Sequence, residues 1–528
     1  TIDILRKNKK MIQTVKNEYD QSINYSKINF ESARDYYKKY ENNSCIDDIT
    51  WNDLNLNDVY KKISNLQSFI GINVLYKLLR QPVNSTDELA SRENIINYFQ
   101  FNENNRVKIQ YILRKILTRN QNICIDKHIN ISPITKQKLI IFKIVRLILL
   151  ITLTLVLFFK NSTSILCLTF EIVAVIIINL HYYYRNASNQ YLYVINMIKC
   201  AEKIQQLDIN VIKERYKELN NYLKKFNKIK KKIPNDSLDS TDLRTLYIKM
   251  FRILTMTELI DNEEIHIIIS NYNKEYEYLY NFIGEIDAFI SVGFFRNSLE
   301  YYCIPKYWGN SRIKAVDLYH PMLKKGVANS VNIDSSTLIT GCNASGKSTF
   351  LRTIGINLIL SQTINTACAS DFRINFCNVL TSMSLRDSLK KGDSYYIAEI
   401  KAIKRMINAS KEDKFFVFII DEILKGTNTV ERIAGGASIL NFLSKKNVIC
   451  FAATHDLELA DILKNVYKNF NFDGSVENNN IIFDFKIKEG ISKKKNAVDL
   501  LKKYKYDDEI LNETELRISN FIALKQWI

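Results

Sequence analysis

Glycine and proline are scarce in this sequence, with fourteen and five in 528 residues. Gly71 is the single glycine before residue 284. Glycine is needed where backbone turns tightly or approaches a ligand closely. Its absence over half the chain therefore excludes dense turn chemistry there and leaves mostly long helices. The nine cysteines contain no Cys-x-x-Cys pair. With no secretory signal at the start, they are expected as reduced intracellular thiols, and a disulfide scaffold or zinc site is excluded. Internal repeats and low-complexity tracts are also lacking. At 46% hydrophobic and 25% charged residues, the composition excludes a disordered chain.

What is present is length enough for two to four domains and a basic balance, +18 from 74 Lys and Arg against 56 Asp and Glu. That charge suits an anionic partner, nucleic acid or an acidic membrane face, and it equally suits lysine-rich solvated helices. The lysine run at 224–232 fits a solvated helix end or a phosphate contact. The stretch 59–82, VYKKISNLQSFIGINVLYKLLRQP, carries apolar residues at helical spacing and stops at Pro82.

Residues 139–159, LIIFKIVRLILLITLTLVLFF, and 165–180, ILCLTFEIVAVIIINL, flank a polar turn, KNSTS. Each approaches the roughly 20 residues of a membrane span. Lys136, Lys138, Lys143 and Arg146 precede the first span, tyrosines and Arg185 follow the second, and the turn holds only Lys160. The positive-inside tendency then puts both chain ends in the cytoplasm. The competing reading is a helical hairpin buried in a soluble core, which Glu171 favours.

Seven of the fourteen glycines lie between Gly341 and Gly436. Here GCNASGKS, 341–348, fits G-x-x-x-x-G-K-[ST], with a strand-like STLIT before it and a helix-like TFLRTIGINLIL after it. Such a loop presents backbone N–H groups and a helix N-terminus to phosphate oxygens. Lys347 is expected to reach the β- and γ-phosphates, and Ser348 to offer its hydroxyl to Mg²⁺. KFFVFIIDE, 414–422, is a continuous apolar run of the kind parallel strands show. At its end Asp421 is placed to hold Mg²⁺ and Glu422 to accept a proton from the attacking water. VICFAATHD, 448–456, is a third strand, and His455 at its end is placed to sense the γ-phosphate.

These motifs resemble the MutS family of ATPases. DEILKGTNT (421–429) is similar to its acidic strand end and following loop, and ATHDLEL (453–459) to its strand-end histidine segment. GDSYYIAE (392–399), with Ser394 five residues before Glu399, is similar to its signature loop. DLYHPML (317–323) resembles the His-Pro motif near the adenine, which brings in His320, and 483–504 resembles the closing strand and glycine turn. The resemblance is strong over 315–510 and weak over 45–135 and 190–305.

It implies an α/β P-loop NTPase domain of ABC type at 311–510, preceded by an all-α MutS-like core, 1–137 and 186–310. The hydrophobic hairpin, 138–185, interrupts that core, and a tail, 511–528, follows. ATP with Mg²⁺ would bind through Gly341, Asn343, Gly346, Lys347, Ser348, Thr349 and His320, with Ser348 and Asp421 on the metal and Glu422 and His455 catalytic. A homodimer is implied in which Ser394 of one subunit caps the γ-phosphate held by the other. Three features depart from the family pattern. Cys342 replaces the usual proline of the loop. Nothing before the helical core is long enough for a mismatch-reading domain, Phe101-x-Glu103 being a chance match. No nuclease-like extension follows 510. Two functions stay open. One is an ATP-driven DNA-binding switch of the mismatch-repair type, tethered to a membrane or cytoplasmic. The other is an ATPase anchored in the cell membrane, its ATPase domain in the cytoplasm, acting mechanically on an unknown protein partner or lipid without reading DNA.

Overall fold

The computed structural model describes residues 2–20, 30–42, 44–117, 133–185, 190–230, 243–309, 312–342, 344–383, 395–477, 480–492, 498, 501 and 506–524. The helices that frame the site and its supports are, in chain order, α1 (Asp48–Asp53), α2 (Phe69–Arg80), α3 (Pro133–Phe159), α4 (Ser162–Arg185), α5 (Leu243–Leu254), α6 (Thr257–Asn271), α7 (Asn273–Asn297), α8 (Lys347–Ile364), α9 (Tyr395–Ala409) and α10 (Thr429–Ser444). The strands are β1 (Lys306–Tyr307), β2 (Ile313–Leu318), β3 (Asn329–Ile333), β4 (Thr337–Gly341), β5 (Asp371–Ile374), β6 (Asn378–Ser382), β7 (Phe416–Asp421), β8 (Val448–Ala453), β9 (Lys468–Phe472), β10 (Gly474–Glu477), β11 (Asn480–Phe483) and β12 (Lys488–Glu489).

The chain forms two compact units, each assembled from separated segments: Thr1–Tyr40, Ser64–Lys77 and Asn94–Phe294 in one, Glu41–Ile63, Leu78–Glu93 and Phe295–Ile528 in the other. Among the described residues the first unit has helices as its regular structure and no strand, as the glycine-poor sequence leads one to expect.

The stretch 59–82 is not one helix. A helix ends at Ile63 and α2 starts at Phe69. The cause is a buried carboxylate on α7. Asp287 accepts the backbone N–H groups of Gln67 (3.0 Å) and Ser68 (2.8 Å) and the Ser68 hydroxyl (2.6 Å), capturing donors a continuous helix would use itself. The lone early glycine belongs to this contact, because a Cβ on Gly71 would lie 2.3 Å from Asp287 Oδ2.

The hydrophobic segments form α3 and α4, both longer than the apolar runs. Only Lys160, in the left-handed region at φ +46°, and Asn161 separate them. The polar turn is therefore shorter than KNSTS suggests. Ser162–Ser164 already belong to α4, where Ser164 donates to the Asn161 carbonyl (2.7 Å), a local bond that short hydroxyl side chains make readily at helix starts. Thr152 donates to Glu171 across the hairpin (2.6 Å), so the acid of α4 faces a polar partner. Phe142, Leu149 and Val175 pack with Met256 and Ile260, yet only 6% of each apolar window is buried. Neither helix is a core helix.

The second unit is α/β. Its main sheet has the order β12-β9-β4-β8-β7-β6, parallel throughout except for β12 at the edge. β4 and β8 are buried at every position, the pattern of strands covered on both faces. A smaller mixed sheet runs β1-β5-β2-β3, and β10 pairs with β11. Segment 41–63 is built into this unit. The fully folded-in carboxylate of Asp53, at the end of α1, accepts the Thr381 hydroxyl (2.7 Å) and the Met383 N–H (2.9 Å) just beyond β6.

Candidate functional site

Strand order decides where the chemistry falls. β4, β8 and β7 are neighbours, and Ala453 of β8 is level with Ile339 of β4 and Asp421 of β7. The loops leaving their carboxyl ends therefore meet, at the edge of the sheet where open α/β folds bind ligands.

The loop after β4 turns on two glycines, Gly341 at φ +143° and Gly346 at φ +107°. At Gly341 a Cβ would come within 2.5 Å of the Phe472 carbonyl oxygen on β9, so only glycine fits. α8 then starts at Lys347, and its interior is buried almost without interruption to Ile364. The Lys347 ammonium folds back and donates to the Gly341 (2.7 Å) and Cys342 (2.8 Å) carbonyls. Burial lowers its pKa. The Ser345 hydroxyl is buried with no hydrogen-bond partner. A phosphate at this helix N-terminus would satisfy that hydroxyl and compete for the same ammonium, so the loop fits a nucleotide phosphate.

At the end of β7, burial raises the Asp421 pKa, and the Ser348 hydroxyl hydrogen-bonds its carboxylate. This hydroxyl–carboxylate pair, both hard oxygen donors, suits Mg²⁺. Glu422 follows in the left-handed region, φ +61°, and its N–H donates to the Ala453 carbonyl of β8 (3.0 Å). Its carboxylate meets His455 Nε2 at 2.9 Å and Lys425 Nζ at 2.7 Å. The His455 hydrogen bond, aided by Lys425, pulls its pKa down to about 2. The His455 loop is clamped in turn by Arg432 of α10, which grips Asp456 through two N–H groups at 2.8 and 2.7 Å.

His320 follows β2. Burial, with Arg352 and Lys62 nearby, pulls its pKa down to about 4. The neutral ring accepts the Met322 N–H at Nδ1 (3.2 Å). His320, Gly346, Lys347, Ser348, Thr349, Glu422 and His455 all line one cavity of about 330 Å³, with Phe472 and Phe485 among its apolar walls. Seven sequence-derived candidates thus come together. Gly341 and Asp421 sit immediately behind the loop and strand end that form it. Asn343 and Ser394 lie outside the described residues.

Three contributors were not singled out from sequence. Lys425, three residues past Glu422, was visible as a nearby cation. Glu399 is buried on α9, its pKa raised by burial, and accepts the Lys425 N–H (3.2 Å), with the Leu424 and Gly426 N–H groups also directed at it. It anchors the loop that follows Glu422. Its spacing from Ser394 was legible, its role was not. Asp53 lies more than 300 residues from its partners, and no local signal marks it.

Residues 337–521 match the model of MutS domain V. The DNA mismatch repair protein MutS of Persephonella marina is 29% identical over 268 residues, 48% of this chain and 30% of that protein. That of Prochlorococcus marinus (strain MIT 9312) is 32% identical over 206 residues, 37% of this chain and 22% of that protein. The Staphylococcus aureus (strain MRSA252) protein is 23% identical over 268 residues, again 48% and 30%. The matched stretch spans less than a third of the length of each of these three relatives. The domain match covers the loop 341–349, Glu422 and His455, and over residues 337–521 the chain is similar to the MutS family.

Proposed function

We propose that the chain is an ATPase that hydrolyses ATP to ADP and phosphate. The observation that carries this is the convergence of the loop 341–349, Glu422 and His455 on one cavity. The loop and Lys347 bind the phosphates, and His320, which lines the same cavity, is assigned to the adenine by analogy with the family. Ser348 and Asp421 would hold Mg²⁺, which would supply charge neutralisation at the phosphates. Glu422, ionised and oriented by His455, takes the proton of the attacking water. Lys425 also holds Glu422 and must yield for that carboxylate to act as a base. By analogy with the MutS family the ATPase domain is of ABC type and works as a dimer with composite sites, Ser394 of the partner subunit completing each. The test is single-turnover hydrolysis by the full chain. Lys347→Ala is expected to lose nucleotide binding and Glu422→Gln to keep it.

We further propose that the ATP cycle acts at the cell membrane, with the ATPase domain in the cytoplasm. The exposure of α3 and α4, whose candidate spans run 24 and 21 residues, favours this over a cytoplasmic protein. In lipid such helices satisfy their own backbone and need no protein cover. The relatives are mismatch repair proteins, and the +18 charge is compatible with duplex DNA as substrate. Affinity for duplex DNA that falls steeply with salt and responds to ATP supports a membrane-tethered DNA switch. Lack of such affinity supports a mechanical ATPase acting on a protein partner or lipid.

A further inference from the structure

We infer that α5, the helix Leu243–Leu254, is a membrane-surface element that lies in the headgroup layer of an anionic bilayer with Leu246, Tyr247, Met250 and Phe251 toward the acyl chains. This rests on the membrane reading of α3 and α4. Those four side chains are 52, 72, 60 and 67% exposed, and their spacing puts them on one side of the helix. Soluble surfaces seldom group two aromatics, a leucine and a methionine so openly.

The opposite side is held by protein. Arg252 pairs with Asp261 of α6 (3.1 Å), and the Ile253 carbonyl accepts Asn179 Nδ2 of α4 (3.2 Å). Asn179 fixes the depth. It lies just before Tyr182, whose ring packs edge-on against Phe142 of α3 at 5.3 Å. The carboxyl end of α5 is therefore level with the start of α3's apolar run, where Lys143 pairs with Glu264 of α6 (2.6 Å). That is the level at which a bilayer's headgroups would meet the hairpin. Aromatic side chains favour this depth, and an amphipathic helix there lies in the membrane plane.

Charge points to the same occupant. α5 has Arg244, Lys249 and Arg252 and no acid, and α3 up to Arg146 has Lys136, Lys138, Lys143 and Arg146 and no acid. Of α3 up to Arg146, α5 and α6, only α6 carries acids, Glu258, Asp261, Glu263 and Glu264, while Asp239 and Asp242 precede α5 in the sequence. The helices that carry the exposed apolar side chains, α5 and the start of α3, are thus basic in sequence, with Arg252 and Lys143 paired to α6, a balance suited to anionic lipid.

The test uses the full chain reconstituted into phosphatidylcholine–phosphatidylglycerol vesicles whose acyl chains carry bromine at a shallow or a deep position. Phe251→Trp and Tyr247→Trp report on α5, and Leu150→Trp on the middle of α3. The unmodified chain, which holds Trp51, Trp308 and Trp527, is the background. The α5 reporters are expected to lose most of their emission to shallow bromine, and Leu150→Trp to lose more to deep bromine. If Leu150→Trp is quenched while the α5 reporters emit as in water, α5 is not at the membrane, although the hairpin is. Blue-shifted but unquenched α5 reporters mean that protein, a second copy included, covers the helix, which overturns the inference. If no reporter is quenched, the membrane reading falls and this inference with it.

Discussion

At the residue scale the cavity is governed by how one carboxylate is held. Glu422 is shared between His455 and Lys425, so replacing it with glutamine keeps the shape and removes the base. Glu422→Gln should slow hydrolysis about 100-fold or more, since a positioned base contributes about 10²–10⁴. Nucleotide binding should be retained. Stopped-flow phosphate release beside nucleotide titration checks both parts, and near-wild-type turnover would remove Glu422 from the role. The pH behaviour at His320 is equally specific. Its folded pKa, about 4, lies below the ordinary 6.5, so the folded state resists a proton that the unfolded state accepts. The stability tied to this ring is full above 6.5 and declines as pH falls toward 4. Thermal unfolding of the His320→Asn chain should show a shallower loss across that window than the unmodified chain, and parallel curves would show that the ring has no such influence.

At the scale of elements, the lone glycine of the first 283 residues and the interruption at 64–68 have one origin, the Asp287 carboxylate. Asp287→Ala would leave two buried N–H groups and a hydroxyl without their acceptor, at a cost of at least about 3 kcal/mol. Gly71→Ala would press a methyl group into the same carboxylate and cost about 1–3 kcal/mol. Denaturant titration followed by helix signal measures both, and an unchanged midpoint for either would contradict this account. The same comparison marks what sequence could convey. β7 and β8 were legible because a strand buried on both faces is a continuous apolar run, β4 because a strand must lead into the phosphate loop, and the residues at their ends because phosphate chemistry demands them at fixed spacing. The break before α2 was not, because its cause is a carboxylate 220 residues away that leaves the local apolar period intact. Glu399 was half legible. Its place in a motif could be seen, but a buried acid gripping the backbone of the neighbouring loop is visible only in the fold.

For the whole molecule, α3 and α4 set the most consequential expectation. The full chain should sediment with membranes and resist carbonate extraction. Replacing 139–180 with a short polar linker should release a soluble chain that still turns over ATP. A full-length chain that is monodisperse without detergent would refute the membrane assignment and leave the ATPase untouched. Assembly is tested separately. If Ser394 completes the partner's site, full-length Ser394→Arg and Lys347→Ala chains, each inactive alone, should regain activity when mixed, because one kind of composite site remains intact. No recovery in mixed dimers would reject shared sites. The discontinuous make-up of the two units carries a last consequence, for biosynthesis. Segments 41–63 and 78–93 leave the ribosome long before β4 exists, although Asp53 must close on the backbone beyond β6. A nascent chain therefore holds Leu54, buried in the finished protein beside Gly355, without that cover while some 300 further residues are made. Maturation should accordingly depend on chaperones, and a gene fragment starting at residue 311 should yield aggregates unless 41–93 is supplied alongside it.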